Sequence, residues 1–138
     1  MINYPNTNRQ FNYKRKIVRP RRKRNKYQAH KVTVDGHKFD SRVEANYYKL
    51  LKQQHTDFKL HERFELLPTL RIFGKTYSKR VYTPDFTIYE HGELVEAIDV
   101  KGYKITADAS LRMRAFIEKY RVPVYIVRNK NNYEKELF

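Results

Sequence analysis

The chain has 138 residues, enough for one compact domain and too few for two ordinary ones. Thirty Lys+Arg stand against fifteen Asp+Glu, a formal net charge of +15, so a polyanionic partner is expected. The absence of cysteine excludes disulfides, thiol nucleophiles and cysteine-based zinc sites, and no apolar run is long enough to span a membrane. With 40% hydrophobic and 14% aromatic residues, a packed core can form. The first residues are polar and basic with no apolar stretch of the secretory kind, so a cytoplasmic setting is expected.

The excess charge is concentrated at the start. Met1 to Lys31 holds eleven Lys/Arg and no acid, which leaves nineteen against fifteen in the remainder. Lys14, Arg15 and Lys16, then Arg19, Arg21, Arg22, Lys23 and Arg24, read as a flexible arm over residues 1–30 that neutralises phosphates. A solubilising tail, a nuclear-localisation patch or a ribosomal-type extension fits the same composition. Residues 31–138 read as one domain.

Lys31 to Asp40 alternates around Asp35-Gly36, the pattern of a hairpin. Ser41 opens a helix to about His55, with Val43, Tyr47, Leu50 and Leu51 as its apolar stripe and Ser41/Glu44 at capping-box spacing. Phe58 to Leu67 reads as a strand, and Leu70 to Phe73 as another, followed by a turn at Gly74-Lys75. Arg80 to Tyr89 and Leu94 to Lys101 read as two strands joined by a turn at His91-Gly92. A helix is expected over Ala107 to Tyr120, with Leu111, Ala115, Phe116 and Ile117 inward. Val122 to Val127 reads as a last strand, with a short helix in the tail after it. A helix, a meander, a helix and a strand make an α/β core with a mixed sheet flanked by helices.

The acids carry the chemistry. Counting outward from the turn at His91-Gly92 puts Asp85 and Asp99 within about one residue of opposite each other on neighbouring strands, roughly 4.8 Å apart. Lys101, two residues beyond Asp99, shares its face. Two carboxylates and an ammonium together suit a hard divalent cation such as Mg²⁺, with Mn²⁺ able to substitute. Such a cation would activate a water and offset charge on a phosphate, with Lys101 assisting. The plainer alternatives stay open at this point. Asp85 could be a turn residue, Asp99 and Lys101 a surface pair of little worth, and Glu44 only the partner of Ser41 in the capping box.

Pro84-Asp85, with Asp99-Val100-Lys101 beginning fourteen positions after Asp85, resembles the PD-(D/E)xK nuclease signature. More narrowly, Phe39 to Glu44, Tyr82 to Phe86 and Asp99 to Gly102 resemble the junction-resolving endonuclease I family of T-odd phages. The chain also resembles a family of small, mostly uncharacterised phage and prophage proteins with the same three blocks. The resemblance covers about Lys31 to Val127 and implies a restriction-endonuclease-like fold. It implies Asp85 and Asp99 as metal ligands with the backbone carbonyl of Val100, Glu44 completing the site, and Lys101 assisting the attacking water. The implied reaction is in-line hydrolysis of a phosphodiester to a 5′-phosphate and a 3′-hydroxyl. Asp99 stands where endonuclease I has Glu, which the wider pattern permits.

The function expected is therefore a Mg²⁺-dependent DNA endonuclease selective for branched DNA such as four-way junctions, without a small-molecule cofactor. Paired cuts imply a two-fold homodimer, and the resemblance implies a bacterial host cytoplasm. A sequence-specific or nicking phage endonuclease is the nearest alternative, and a non-catalytic basic DNA-binding protein is the alternative of another class. Lys104, Thr106, Arg112 and Arg114 are candidate phosphate contacts, with helix-surface charge as the other reading, and Arg80 is a similar case. The five His form no metal-ligand spacing and read mostly as surface or turn residues. Tyr13 and Tyr27 could stack on bases from the arm.

Overall fold

The computed structural model describes residues 30–138. The basic arm, with Lys14, Arg15, Lys16, Arg19, Arg21, Arg22, Lys23 and Arg24, lies outside the described residues. The chain first forms a hairpin of β1 (Val32–Val34) and β2 (His37–Phe39). Asp35 and Gly36 both have positive φ, 50° and 79°, as a two-residue hairpin turn requires. Helix α1 (Arg42–Gln53) follows, and the Oγ of its N-cap Ser41 accepts the Glu44 N–H at 3.2 Å. Its buried face is Glu44, Ala45, Tyr47, Tyr48 and Leu51. Val43 and Leu50, expected in the stripe, flank that face half-buried.

Nine strands and a second helix follow. They are β3 (Phe58–Leu60), β4 (Phe64–Leu67), β5 (Leu70–Ile72), β6 (Lys75–Tyr77), β7 (Arg80–Tyr82), β8 (Phe86–Glu90), β9 (Glu93–Val100), α2 (Ala107–Tyr120), β10 (Val124–Val127) and β11 (Lys135–Leu137). Five of these strands form a mixed sheet in the order β11-β10-β9-β8-β3. Only β9 and β10 run parallel, because α2 carries the chain back across the sheet between them. The fold is α/β, as expected.

Both faces of the sheet are covered. Phe86, Ile88, Ile98 and Val127 pack with Phe39, Tyr47, Tyr48 and Leu51 on the α1 side. Ala97, Val124 and Ile126 pack with Met113 and Phe116 on the α2 side. Alternate residues of β9 and β10 thus feed two cores, which is why β10 reads as an unbroken apolar run. The turn after β8 is His91-Gly92, with φ of 51° and 81°. One residue of β9, Val95, is extra: Ile88 pairs with Glu96, whereas Tyr89 pairs with Leu94.

Four expectations are corrected. The run Phe58–Leu67 is two strands, because His61 takes φ 49° and turns the chain out of the ladder. The run Arg80–Tyr89 is also two, because Pro84 has no N–H to extend a ladder. Leu111 is 69% exposed, since two helical steps of 100° place it across the axis from buried Met113. The tail holds a three-residue 3₁₀ turn, Asn129–Asn131, and then β11, where a short helix was expected.

Candidate functional site

The strand ends converge where β3, β8 and β9 meet the N-terminus of α1. Extending the β3–β8 register by one pair puts His61 opposite Asp85, and the His61 N–H donates to the Asp85 carbonyl at 3.2 Å. The Asp85 side chain is held as well: its Oδ2 accepts the Val100 N–H at 2.7 Å. Asp85 is therefore fixed from both neighbouring strands, although it lies in neither ladder.

Glu44 enters from the first turn of α1, where the capping by Ser41 sets its direction. Its Oε2 accepts the Asp40 N–H at 3.2 Å, one residue before the position a regular capping box uses. Its Oε1 is buried and makes no hydrogen bond among the described residues, yet lies 2.9 Å from His61 Nε2. Glu44, His61 and Asp85 each offer one donor atom, all within 4.8 Å of one another. Glu44 thus does two things at once, capping the helix with one oxygen and offering the other to the cluster.

Asp99 and Lys101 stand beside this group. Lys101 Nζ is 3.1 Å from Asp99 Oδ2, so the two share a face as their spacing predicts. Asp99 is buried and is not one of the three clustered donors. The hydroxyl of Tyr82 is buried nearby and has no hydrogen-bond partner among the described residues.

The electrostatics follow from placing acids where water is scarce. Burial pushes Glu44 up to about 7, the charges of Asp40 and Asp99 adding to it while the Asp40 N–H and Lys101 oppose it. Burial, then the charges of Asp99 and Glu44, hold Asp85 well above the usual carboxylate range against the Val100 N–H and Lys101. Burial and the charges of Asp99 and Asp85 raise Tyr82 likewise. A cleft of roughly 610 Å³ opens here, lined among others by Glu44, Asp85, Val100, Lys101, Arg128 and Lys130. A buried carboxylate with an unsatisfied Oε1, a half-buried second carboxylate and an imidazole fit a divalent cation, which takes hard oxygen donors of this kind.

Sequence reasoning missed His61. Its only signal was the β3–β8 register, which the broken strand concealed. The other candidates lie apart from the cleft lining. Thr106 is the N-cap of α2 and accepts the Ala109 N–H at 3.2 Å. Arg112 pairs with Asp108 at 3.1 Å and Arg114 with Glu118 at 2.8 Å, both on the exposed surface of α2. Lys104 is exposed in the loop after β9, and Arg80 is exposed at the start of β7. A larger hollow of roughly 720 Å³ between α1 and β3 has no carboxylate in its lining and offers no comparable chemistry.

No helix among the described residues is long and apolar enough to cross a membrane. No curated protein and no solved structure matches the chain. A sequence model of a family described as a protein of unknown function, DUF1064, matches residues 24–134, a span that holds all five side chains of the site. The chain belongs to the DUF1064 family.

Proposed function

We propose that the protein is a metal-dependent DNA endonuclease of PD-(D/E)xK type, acting on branched DNA such as four-way junctions. The observation that carries this reading is the concentration of buried acids beside a lysine in a cleft. Glu44 and Asp85 converge with an unsatisfied Oε1, and the Asp99–Lys101 pair stands next to them. Burying like charges costs stability unless a cation or a reaction requires them.

Glu44, Asp85 and Asp99 would hold a divalent cation, with the Val100 carbonyl and His61 as further donors. When bound, such a cation supplies a water of lowered pKa and offsets charge on the phosphate. Mg²⁺ suits the oxygen donors, and Mn²⁺ accepts both these and the imidazole. The chain does the positioning. The Val100 N–H fixes the Asp85 carboxylate, and the Asp40 N–H fixes that of Glu44. Arg128 and Lys130 on the cleft bind the phosphate backbone, while Lys101 orients the attacking water and offsets charge developing on the phosphate. Paired cuts at a junction require two copies related by a two-fold axis, and the arm holds flanking duplex without reading its sequence.

The test is cleavage of labelled four-way junction, nicked duplex and linear duplex in Mg²⁺, Mn²⁺ or EDTA, with Asp85→Asn alongside. Paired, metal-dependent cuts in the junction, absent in the variant, are expected. Defined cuts in linear duplex would make it a sequence-specific nuclease. Tight binding with no cleavage under any metal would leave a DNA-binding protein.

A further inference from the structure

Between β4 and β7 the chain runs out as an antiparallel ribbon of two successive ladders, β4–β7 and then β5–β6. Leu67 pairs with Arg80 at its base, and Leu70 with Tyr77 and Ile72 with Lys75 beyond, all in one continuing register. Every residue from Leu67 to Arg80 is exposed. At about 3.3 Å per residue, the tip stands about 20 Å beyond the base.

The base is firmly seated. Leu66 and Tyr82 are buried against α2, and Phe64 packs on Phe116 and Tyr120 with ring centroids 5.0 and 5.2 Å away. Lys119 Nζ and the Tyr120 hydroxyl each donate to the Glu65 carbonyl at 2.8 Å. Beyond it the usual distribution is inverted. Leu70, Ile72 and Tyr77 are 53, 41 and 50% exposed, and Phe73 at the turn is 86% exposed. Between Leu66 and Val81 the sequence holds Arg71, Lys75, Lys79 and Arg80 and no acid, and none of these four forms an ion pair among the described residues.

We propose that this ribbon is a nucleic-acid finger, its four cations holding phosphates while Phe73 stacks into bases opened at a branch. Charge selects the occupant. Four cations without an acid repel a second copy of the same ribbon and attract a polyanion. A two-stranded ribbon fits the major groove of duplex DNA, about 12 Å wide, and an apolar wedge at a tip is a means of entering unstacked steps. Placement adds to this. The ribbon's two strands run directly out of the candidate site, with His61 three residues before Phe64 and Asp85 three residues after Tyr82. A strand held along the ribbon is thereby led to the acids. The choice of branched DNA rests on the nuclease reading; the finger itself does not need the chemistry.

The chain has no tryptophan, so Phe73→Trp supplies a single indole at the tip. The full-length protein is titrated in EDTA with four-way junction and with matched linear duplex, and indole emission and affinity are both read. Quenching by the junction is expected. Phe73→Ala should lose about ten- to a hundred-fold of junction affinity relative to duplex, the range for one lost stacking contact. Arg71→Ala with Lys75→Ala should lower the slope of log affinity against log salt by about 2.

Several results would overturn the finger. One is unchanged emission and unchanged affinities with DNA. Another is an emission shift on anionic phospholipid vesicles but not on DNA, which would make the ribbon a membrane contact. A third is a concentration-dependent shift of the protein alone, which would make it a contact between copies. Cleavage in Mg²⁺ is scored separately. Finger effects without any cleavage would sink the nuclease and leave the finger, and cleavage with inert finger variants would do the reverse.

Discussion

The sheet and the β4–β7 ribbon break opposite rules. Where the sheet ends it buries charge, with Glu44 and Asp99 each 4% exposed, whereas the ribbon exposes apolar side chains up to Phe73 at 86%. Either inversion costs free energy in the isolated chain. Buried carboxylates lose hydration, and exposed aromatic rings stay in contact with water. On the proposed reading each cost would be recovered by a complementary partner, a cation in one place and stacked bases in the other. The two regions share their chain segments, so on that reading the two partners would be parts of one complex.

The largest effect should come from the acids. Asp85→Asn and Asp99→Asn should lower single-turnover junction cleavage in Mg²⁺ by about 10³-fold or more while leaving junction affinity at or above wild type. Cleavage within tenfold of wild type would show that the buried charge serves something else. Next is the contrast in packing. Phe116→Ala, at a fully buried ring between α2 and the sheet, should cost about 3–5 kcal/mol in urea unfolding. Leu70→Ala on the ribbon should stay within about 0.5 kcal/mol. Equal costs would mean that the ribbon is part of the core.

The third prediction is a pH dependence of opposite sign to the common carboxylate case. Glu44 has a folded value of about 7 against an ordinary 4.5, so between these the native state holds a proton that the unfolded chain has released. Asp85 is raised in the same sense. Stability of the metal-free protein should therefore be greatest near pH 5 and fall as pH rises to 8, by up to about 1.4 kcal/mol per unit for each group. Glu44→Gln should flatten the profile, and Mg²⁺ or Mn²⁺ at pH 8 should restore much of the loss. A metal-free profile rising from pH 5 to 8 would refute the buried-charge account. A modest effect is expected at the cap: Ser41→Ala should cost about 1 kcal/mol in thermal unfolding and loosen Glu44 with it.

The sequence was most legible where local rules decide. The Asp35-Gly36 and His91-Gly92 turns, the start of α1 at Ser41 and the span of α2 follow from turn chemistry, capping and periodicity. Asp85, Asp99 and Lys101 were singled out by type and spacing, and Glu44 by the family resemblance. Long-range pairing was hidden. His61 becomes a neighbour of Glu44 and Asp85 only through the β3–β8 register, and nothing near His61 in sequence encodes that pairing. The breaks at His61 and Asp85 were hidden for a related reason. Their flanks alternate like continuous strands, although the positive φ of His61 and the missing N–H of Pro84 end both ladders. Leu111 was misplaced because a helix with few buried residues, here Met113 and Phe116, leaves the direction of its inner face weakly marked.

The extra residue in β9 sets how this protein can change length. Beyond Val95, each residue through Val100 faces the layer it does because one additional position was spent at the bulge. Deleting Val95 would slide Ala97, Asp99 and Lys101 into the places of their neighbours and exchange the two faces of the strand. Ile98 and Val100 would then occupy the acid's side, and the carboxylate would be driven into the α1 core. At this point the chain can absorb a change of residue far more readily than a change of count, so an aligned gap within Leu94 to Lys101 would mark a copy that has lost the site rather than a variant of it.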